Sequence, residues 1–365
     1  MHTAGYVGVL PYDLGAEGEI GRPATKGMCW IRYENALIFD HESRRWDVLG
    51  NPPLDAILEN LARSSVQRGH RVGGVESVLG RDGYTKAVSR GIEYIRAGDV
   101  YQVNLAHELR GAFSGSTRSA FAAMASACVP AFGAYLELPD AAGERCCVLS
   151  LSPELFLDVD GDLVSTRPMK GTRPGSSDPR VLERSEKDRA ELNMIIDLMR
   201  NDLGRVCRFG TIRVDAHRSI ERHGKDQSSS ILQATGVVSG RVRGSISLAD
   251  VMHAAFPGGS ITGAPKLRAM QIIEELEVSP RGIYCGSIGY IDDAGRSQFN
   301  IAIRTAIVKG SPGNAARDDI DAGTISFRVG AGIVADSDPG EEWSETLVKA
   351  AAIRSIATIK DDTQR

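Results

Sequence analysis

Apolar residues recur along this chain with two periods, and the period changes from segment to segment. Tyr84, Val88, Ile92 and Ile95 mark one face of a helix over residues 84–97, and Gly98 suits the left-handed stop after it. The same period predicts helices over 53–64, 186–200 and 341–359. A further helix begins at Pro265 and carries Leu267, Met270, Ile273 and Leu276. Alternation with period two predicts strands at 5–10, 28–33, 36–39, 99–105, 287–291, 299–308 and 325–329. Residues 154–159 and 163–169 read as a hairpin around Asp160-Gly161-Asp162. Residues 65–80 are polar and contain glycine, as a linker would, and 312–322 reads as an exposed loop. Helices and strands mix without a strict βαβ rhythm, which predicts a mixed α/β or α+β layered domain.

Bulk properties narrow the function. The 365 residues fit one large domain or two intimate ones. We divide them at 1–75 and 76–360. Lys and Arg number 43 against 47 Asp and Glu, a net charge of −4, so nothing draws the chain to nucleic acid or an anionic membrane. No apolar run is long enough to span a bilayer, and the N-terminus lacks a basic-then-apolar signal. Cys29, Cys128, Cys146, Cys147, Cys207 and Cys285 form no C-x-x-C pair. They read as scattered reduced thiols, in keeping with a cytoplasmic setting, rather than a disulfide framework or zinc site.

Three constellations could carry chemistry. Lys170 follows the hairpin at a glycine turn, where an amine can meet an anion or, once deprotonated, act as a nucleophile. A three-residue turn at 160–162, or an equivalent bulge near Pro168, would put Lys170 on the same strand face as Glu154, and a plain two-residue turn would put them on opposite faces. An acid and an amine in one pocket suit departure of a leaving group with nucleophilic attack; from the hairpin alone a surface pair is the favoured reading. Asp188 with Glu191, and Glu342 with Glu345, are i, i+3 pairs on two helices. Together they would make an oxygen site for Mg²⁺; separately they are charged helix faces. The Pro257–Lys266 stretch is glycine-rich and opens a helix, so its amides can bind an anion, but Ala264-Pro265 rules out a P-loop. Arg304, placed mid-strand by the pattern, needs a carboxylate from protein or ligand.

In order, the motifs are Gly98-Asp99-Val100-Tyr101-Gln102-Val103-Asn104, Ser152-Pro153-Glu154, Lys187-Asp188-Arg189-Ala190-Glu191, Arg200-Asn201-Asp202-Leu203, the Pro257–Lys266 loop, Ile303-Arg304-Thr305 and the Gly330–Ser337 run. Taken together over residues 80–355, the chain resembles the chorismate-utilising enzymes. The resemblance implies an α+β fold, a layered sandwich of two β-sheets flanked by helices. Lys170, where other branches usually carry Ala, resembles the branch that aminates chorismate at C4 on the route to 4-aminobenzoate and folate. Lys170 would then attack C2 while Glu154 acts as the acid, and ammonia would enter at C4. Gln102 stands where water-using members have a lysine base. Glu191 and Glu345 resemble the Mg²⁺ ligands, with Asp188 and Glu342 close by. Arg304, Tyr284, Lys349, Gly330 and Gly332 resemble the carboxylate-binding set, and Gly171, Thr172 and Thr262 the ring contacts.

Three departures bear on this resemblance. The N-terminal segment is short, so no tryptophan feedback is expected. Ser228-Ser229-Ser230 stands where relatives often have His, with His223 upstream. No glutamine amidotransferase domain is evident, so ammonia is expected from a separate amidotransferase subunit or from solution. The rival expectations are an anthranilate synthase component I, against which Lys170 argues, and a non-catalytic chorismate-binding paralogue.

Overall fold

Two antiparallel sheets organise the chain, and the alternating segments of the sequence supply strands to both. The computed structural model describes residues 4–15, 27–63, 69–138, 144–223, 231–313 and 319–359. The first sheet runs β12 (Met169–Pro174), β14 (Ile231–Arg241), β11 (Leu163–Arg167), β10 (Leu155–Asp160), β17 (Ser297–Asn300), β16 (Ser287–Asp292), β1 (Gly5–Leu10) and β2 (Cys29–Tyr33). A further strand, β13 (Arg213–His223), pairs with β14. The second sheet runs β15 (Gly263–Ala264), β7 (Gln102–Ser116), β19 (Asp319–Ile333), β18 (Thr305–Pro312), β9 (Arg145–Ser152) and β8 (Phe132–Leu138). Strands β5 (His70–Val72) and β6 (Glu76–Ser77) add to β7, and β3 (Ala36–Asp40) pairs with β4 (Arg45–Leu49). Helices α1 (Leu54–Arg63), α2 (Gly80–Arg96), α3 (Thr117–Cys128), α4 (Pro179–Arg184), α5 (Glu186–Gly204), α6 (Leu248–Ala255), α7 (Lys266–Leu276), α8 (Pro339–Lys349) and α9 (Ala351–Arg354) complete an α+β fold.

Helices α2 and α5 lay their apolar stripes on the sheets. Leu192, Ile195, Ile196, Met199 and Leu203 of α5 join Phe156, Val164, Leu232 and Val238 of the first sheet. Tyr84, Val88 and Ile92 of α2, the face read from the sequence, pack with Val103 and Leu105 of β7 and Ile272 and Ile273 of α7. The two sheets meet through Val9, Ile288, Val148 and Ala302. Helix α8 is docked by a polar clamp: His107 of β7 meets Ser77 Oγ at 3.0 Å and Thr346 Oγ1 at 2.9 Å, and stacks on Trp343. Burial, then the nearby Arg328, pushes the His107 imidazole down to about 3, so it bridges these groups in its neutral form.

Four expectations need correction, and the turn length left open is settled. The 65–80 segment carries β5 and β6, whose short polar sequences have no apolar alternation to read; residues 64–68 lie outside the described part. The strand expected over 299–308 is two strands in different sheets, β17 and β18, broken at Ile301–Arg304. Arg304 is therefore at a bend, with φ of 51°, and not mid-strand. The hairpin turn has two residues, since Asp160 pairs with Leu163. The last helix is divided at Ala350 into α8 and α9. The predicted loop at 312–322 overlaps the ends of β18 and β19, and residues 314–318 lie outside the described part.

One buried arginine joins the pieces around the centre. Arg281 is 4% exposed and donates to the carbonyls of Ile261 and Asn104, each at 2.8 Å. Its guanidinium also pairs with Glu277 at 2.6 Å. Removing one partner of such a pair strands the other, at about 3–5 kcal/mol. Arg281→Met is expected to lose that much in urea unfolding, and adding Glu277→Leu is expected to recover most of it.

Candidate active site

The site forms where the chain changes sheets twice, side by side. Strand β9 leaves the second sheet at Ser152, and β10 enters the first at Leu155. Strand β17 leaves the first at Asn300, and β18 enters the second at Thr305. The two crossings hold each other: Ile301 N donates to the Glu154 carbonyl at 3.0 Å, and Leu151 N to the Arg304 carbonyl at 3.0 Å. Ser152 Oγ donates to the Ile301 carbonyl at 2.6 Å. Glu154 thus sits in the gap between strands, fixed by its backbone and 4% exposed.

Lys170 reaches the same place by a different route. It lies on β12, which pairs with β14 and is separated from β11 at Pro168. The two-residue turn would set Lys170 on the opposite face from Glu154, but register shifts between Leu155 and Asp158 in the β10–β11 ladder. That bulge and the break at Pro168 bring both groups to Ser260. Ser260 Oγ donates to Glu154 Oε1 at 2.6 Å, and Lys170 Nζ donates to the Ser260 carbonyl at 3.5 Å. Burial pushes the Glu154 carboxyl up to about 7, against the opposing pull of the Ser260 hydroxyl and the charges of Lys170 and Arg304. Burial also lowers Arg304, against the opposing pull of the Cys128 thiol and Glu154.

The floor is built from β7, β19 and the 257–266 loop. Gln102 and Asn104 share a face of β7, and both are buried with an amide oxygen that finds no partner among the described residues. Gly332 lies opposite Asn104; a Cβ there would collide with the Gln102 amide and come 3.6 Å from Lys170 Nζ. Thr262 is fully buried, with its hydroxyl donating to the Gly258 carbonyl at 3.0 Å. Pro265 takes the N-cap of α7 rather than its first turn. Lys266 is tied to Asp202 of α5 at 2.7 Å, joining two of the motifs. Tyr284 is buried against Arg281, whose guanidinium lies 5.9 Å from its ring.

The acidic residues approach from α5 and α8. Asp188 lies against Gly171, whose φ is 67° and where a Cβ would collide with its carboxyl, and is held by Arg173 at 2.8 Å. Thr172 follows in β12, with its backbone opposite Gln233. Glu191 is one turn beyond Lys187 on α5 and partly buried. Glu342 is buried and accepts from Ser337 Oγ at 2.7 Å; burial and then the nearby Glu345 hold its carboxyl above the usual range. Burial would raise Glu345 too, but Lys349, Lys187 and Lys170 outweigh it and hold it low. Lys349 bonds to Glu345 at 2.6 Å and to the Gly330 carbonyl at 3.0 Å. No three acidic, His or Cys side chains form a metal-ready group among the described residues. The Ser228–Ser230 run and the His223 side chain lie outside the described part.

Ser260, Asn104 and Arg281 were missed from the sequence as individual residues. Ser260 lay within a loop read only for its backbone amides. For Arg281, the one signal was Glu277 four residues earlier.

The family described as chorismate binding enzyme has a sequence model that matches residues 1–355. Anthranilate synthase component 1 1 of Haloarcula marismortui is 40% identical over 285 residues, 76% of this chain and 54% of that protein. Aminodeoxychorismate synthase component 1 of Escherichia coli K12 is 36% identical over 368 residues, 96% of this chain and 76% of that protein. The chain thus spans about half the length of the first relative and three quarters of the second. Among solved structures, anthranilate synthase component I from Streptococcus pneumoniae superposes with a TM-score of 0.79 at 25% identity, covering 96% of this chain and 80% of that one.

The raised carboxyl at Glu154 has a thermodynamic signature. The fold favours its protonated form, a contribution fully present below the usual 4.5 and lost as pH rises through about 7. Stability of the wild type relative to Glu154→Gln is expected to fall between about pH 5 and 8, by roughly 3 kcal/mol at most. Urea midpoints across that range check it.

Proposed function

The chain belongs to the chorismate binding enzyme family, and on that premise we propose that it is the synthase component that converts chorismate and ammonia to 4-amino-4-deoxychorismate. The observation that carries this reading is Lys170 and Glu154 meeting on Ser260. A C2-aminating enzyme has no use for a lysine at that point, because ammonia itself attacks C2. Here the neutral Lys170 amine bonds to C2, both ring double bonds shift around through C1, C6 and C5, and the C4 hydroxyl leaves as water with the Glu154 proton. Ammonia then bonds to C4, the double bonds return, and Lys170 is released from C2. Glu154, raised to about 7, is available as an acid near neutral pH.

The remaining residues bind and orient. Arg304 and Lys349 supply cationic groups for the carboxylates of the substrate, with Tyr284 and the backbone of Gly330 and Gly332 beside them. Gly171, Thr172, Thr262 and Gln102 border the ring. Glu191 and Glu345 would hold Mg²⁺, with Glu342 adjacent; bound there, the ion would neutralise one substrate carboxylate. The donor chemistry suits Mg²⁺, since these are carboxylates on two helices, but among the described residues they do not gather into a three-member group, and Lys349 pairs with Glu345. Asp188, tied to Arg173, is the outlying member. Ammonia would be delivered by a separate glutamine amidotransferase subunit in the cytoplasm, and the product would lead to 4-aminobenzoate and folate.

Incubation with chorismate, Mg²⁺ and ammonium should give 4-amino-4-deoxychorismate, identified by mass. Anthranilate with pyruvate would overturn the reading in favour of the C2 branch. Lys170→Ala is expected to abolish C4 amination while still binding chorismate, and Glu154→Gln to lower kcat by about a hundred- to ten-thousandfold. Chelation should stop turnover and Mg²⁺ restore it, and Glu345→Gln should weaken Mg²⁺ binding measured by calorimetry without substrate.

A further inference from the structure

One residue touches both halves of this chemistry through different atoms. The Ser260 hydroxyl donates to Glu154 Oε1 at 2.6 Å, while the Ser260 carbonyl accepts from Lys170 Nζ at 3.5 Å. The two contacts share one backbone, so the position of Ser260 sets the distance between acid and amine.

The segment around Ser260 is held on every side. Residues Gly259–Ile261 form a 3₁₀ turn, closed by Thr262 Oγ1 donating to the Gly258 carbonyl at 3.0 Å. Arg281 donates to the Ile261 carbonyl, and Asn104 N to the Thr262 carbonyl at 2.8 Å. A Cβ on Gly258 would press on Ile301, and one on Gly259 on Leu198 and Met199, so the turn lies directly against α5 and the second crossing. Ser260 itself is 8% exposed. A serine so fixed cannot follow its partners; they must come to it.

We propose that Ser260 is a positioning residue: it aims the Glu154 carboxyl at the leaving hydroxyl and fixes the gap from there to the Lys170 amine. This rests on the aminating reading. The charged and titratable groups facing Glu154 are Lys170 from β12, Arg304 from the second crossing and Cys285 beyond it. Ser260 is the side-chain neutral donor among them, beside the backbone N–H of Met169. A donor to a carboxylate favours its charged form, so removing the hydroxyl raises the carboxyl further.

The test compares Ser260→Ala with Ser260→Thr, which keeps a hydroxyl. In Ser260→Ala, kcat is expected to fall at least about tenfold with KM for chorismate within about twofold. The alkaline limb of the kcat/KM profile is expected to move up by about one pH unit. Ser260→Thr should return the limb toward its wild-type position. An unmoved limb in Ser260→Ala would overturn the proposal, as would equal impairment of both variants. A readout independent of turnover is the carboxyl ¹³C titration of Glu154, assigned by its loss in Glu154→Gln. If wild type makes no C4-aminated product yet that titration moves upward in Ser260→Ala, the functional reading fails and the Ser260–Glu154 pairing stands. If wild type aminates and the titration stays put, the Ser260 role fails alone. Thermal melts of both variants within a few degrees of wild type show that the fold is kept.

Discussion

Two chain crossings at one height are the constraint on which the rest of the structure depends. A strand that leaves one sheet for another must break its ladder, and its freed backbone groups still need partners away from water. Here the crossings at 153–154 and 301–304 satisfy each other, with Ser152 Oγ filling the remaining demand. The broken ladder also opens a polar gap between the layers. Glu154 occupies that gap because its backbone is pinned there, and its carboxyl has nowhere else to go. The left-handed Arg304 lies across from it for the same reason.

Burial then turns geometry into chemistry. The carboxyl of Glu154 is pushed up to about 7 by the same lack of water that makes the gap stable. Ser260, Lys170 and Arg304 pull the other way and hold it near neutrality instead of letting it become a permanently neutral acid. On the α8 side the balance is reversed. Lys349, with Lys187 and Lys170 farther off, holds the Glu345 carboxylate low, while burial keeps Glu342 high despite the Ser337 hydroxyl and the charges of Lys187 and Lys349. The His107 clamp fixes α8 and with it this acidic pair.

Lys170 shows where sequence reasoning reaches its limit. Its pairing with Glu154 is left to register, since side-chain alternation admits only parity arguments: a three-residue turn or an equivalent bulge near Pro168 would serve. The turn has two residues, and a bulge in β10–β11 with a break at Pro168 reverses the parity. A bulge leaves little trace in the pattern of apolar positions, since Phe156 and Leu157 are both fully buried. Arg304 failed for a related reason. Residues 299–308 look like one strand because both ends are buried in sheets, and nothing in their composition says that the sheets differ.

What the sequence determined by itself was the set of elements and the family. The apolar face of α2, most of the strand pattern and the ordered motifs are local or collinear properties, and they survive in the fold with their residues in place. Tertiary structure decided which of those residues meet. The approach of Glu154 to Lys170 through Ser260, the tie of Asp202 to Lys266, and the anchoring of β7 to the 257–266 loop by Arg281 all join positions far apart in the chain. Such contacts depend on register, bulges and the place where strands change sheets. Those follow from the packing of two whole layers against each other, a property that no short stretch of residues contains.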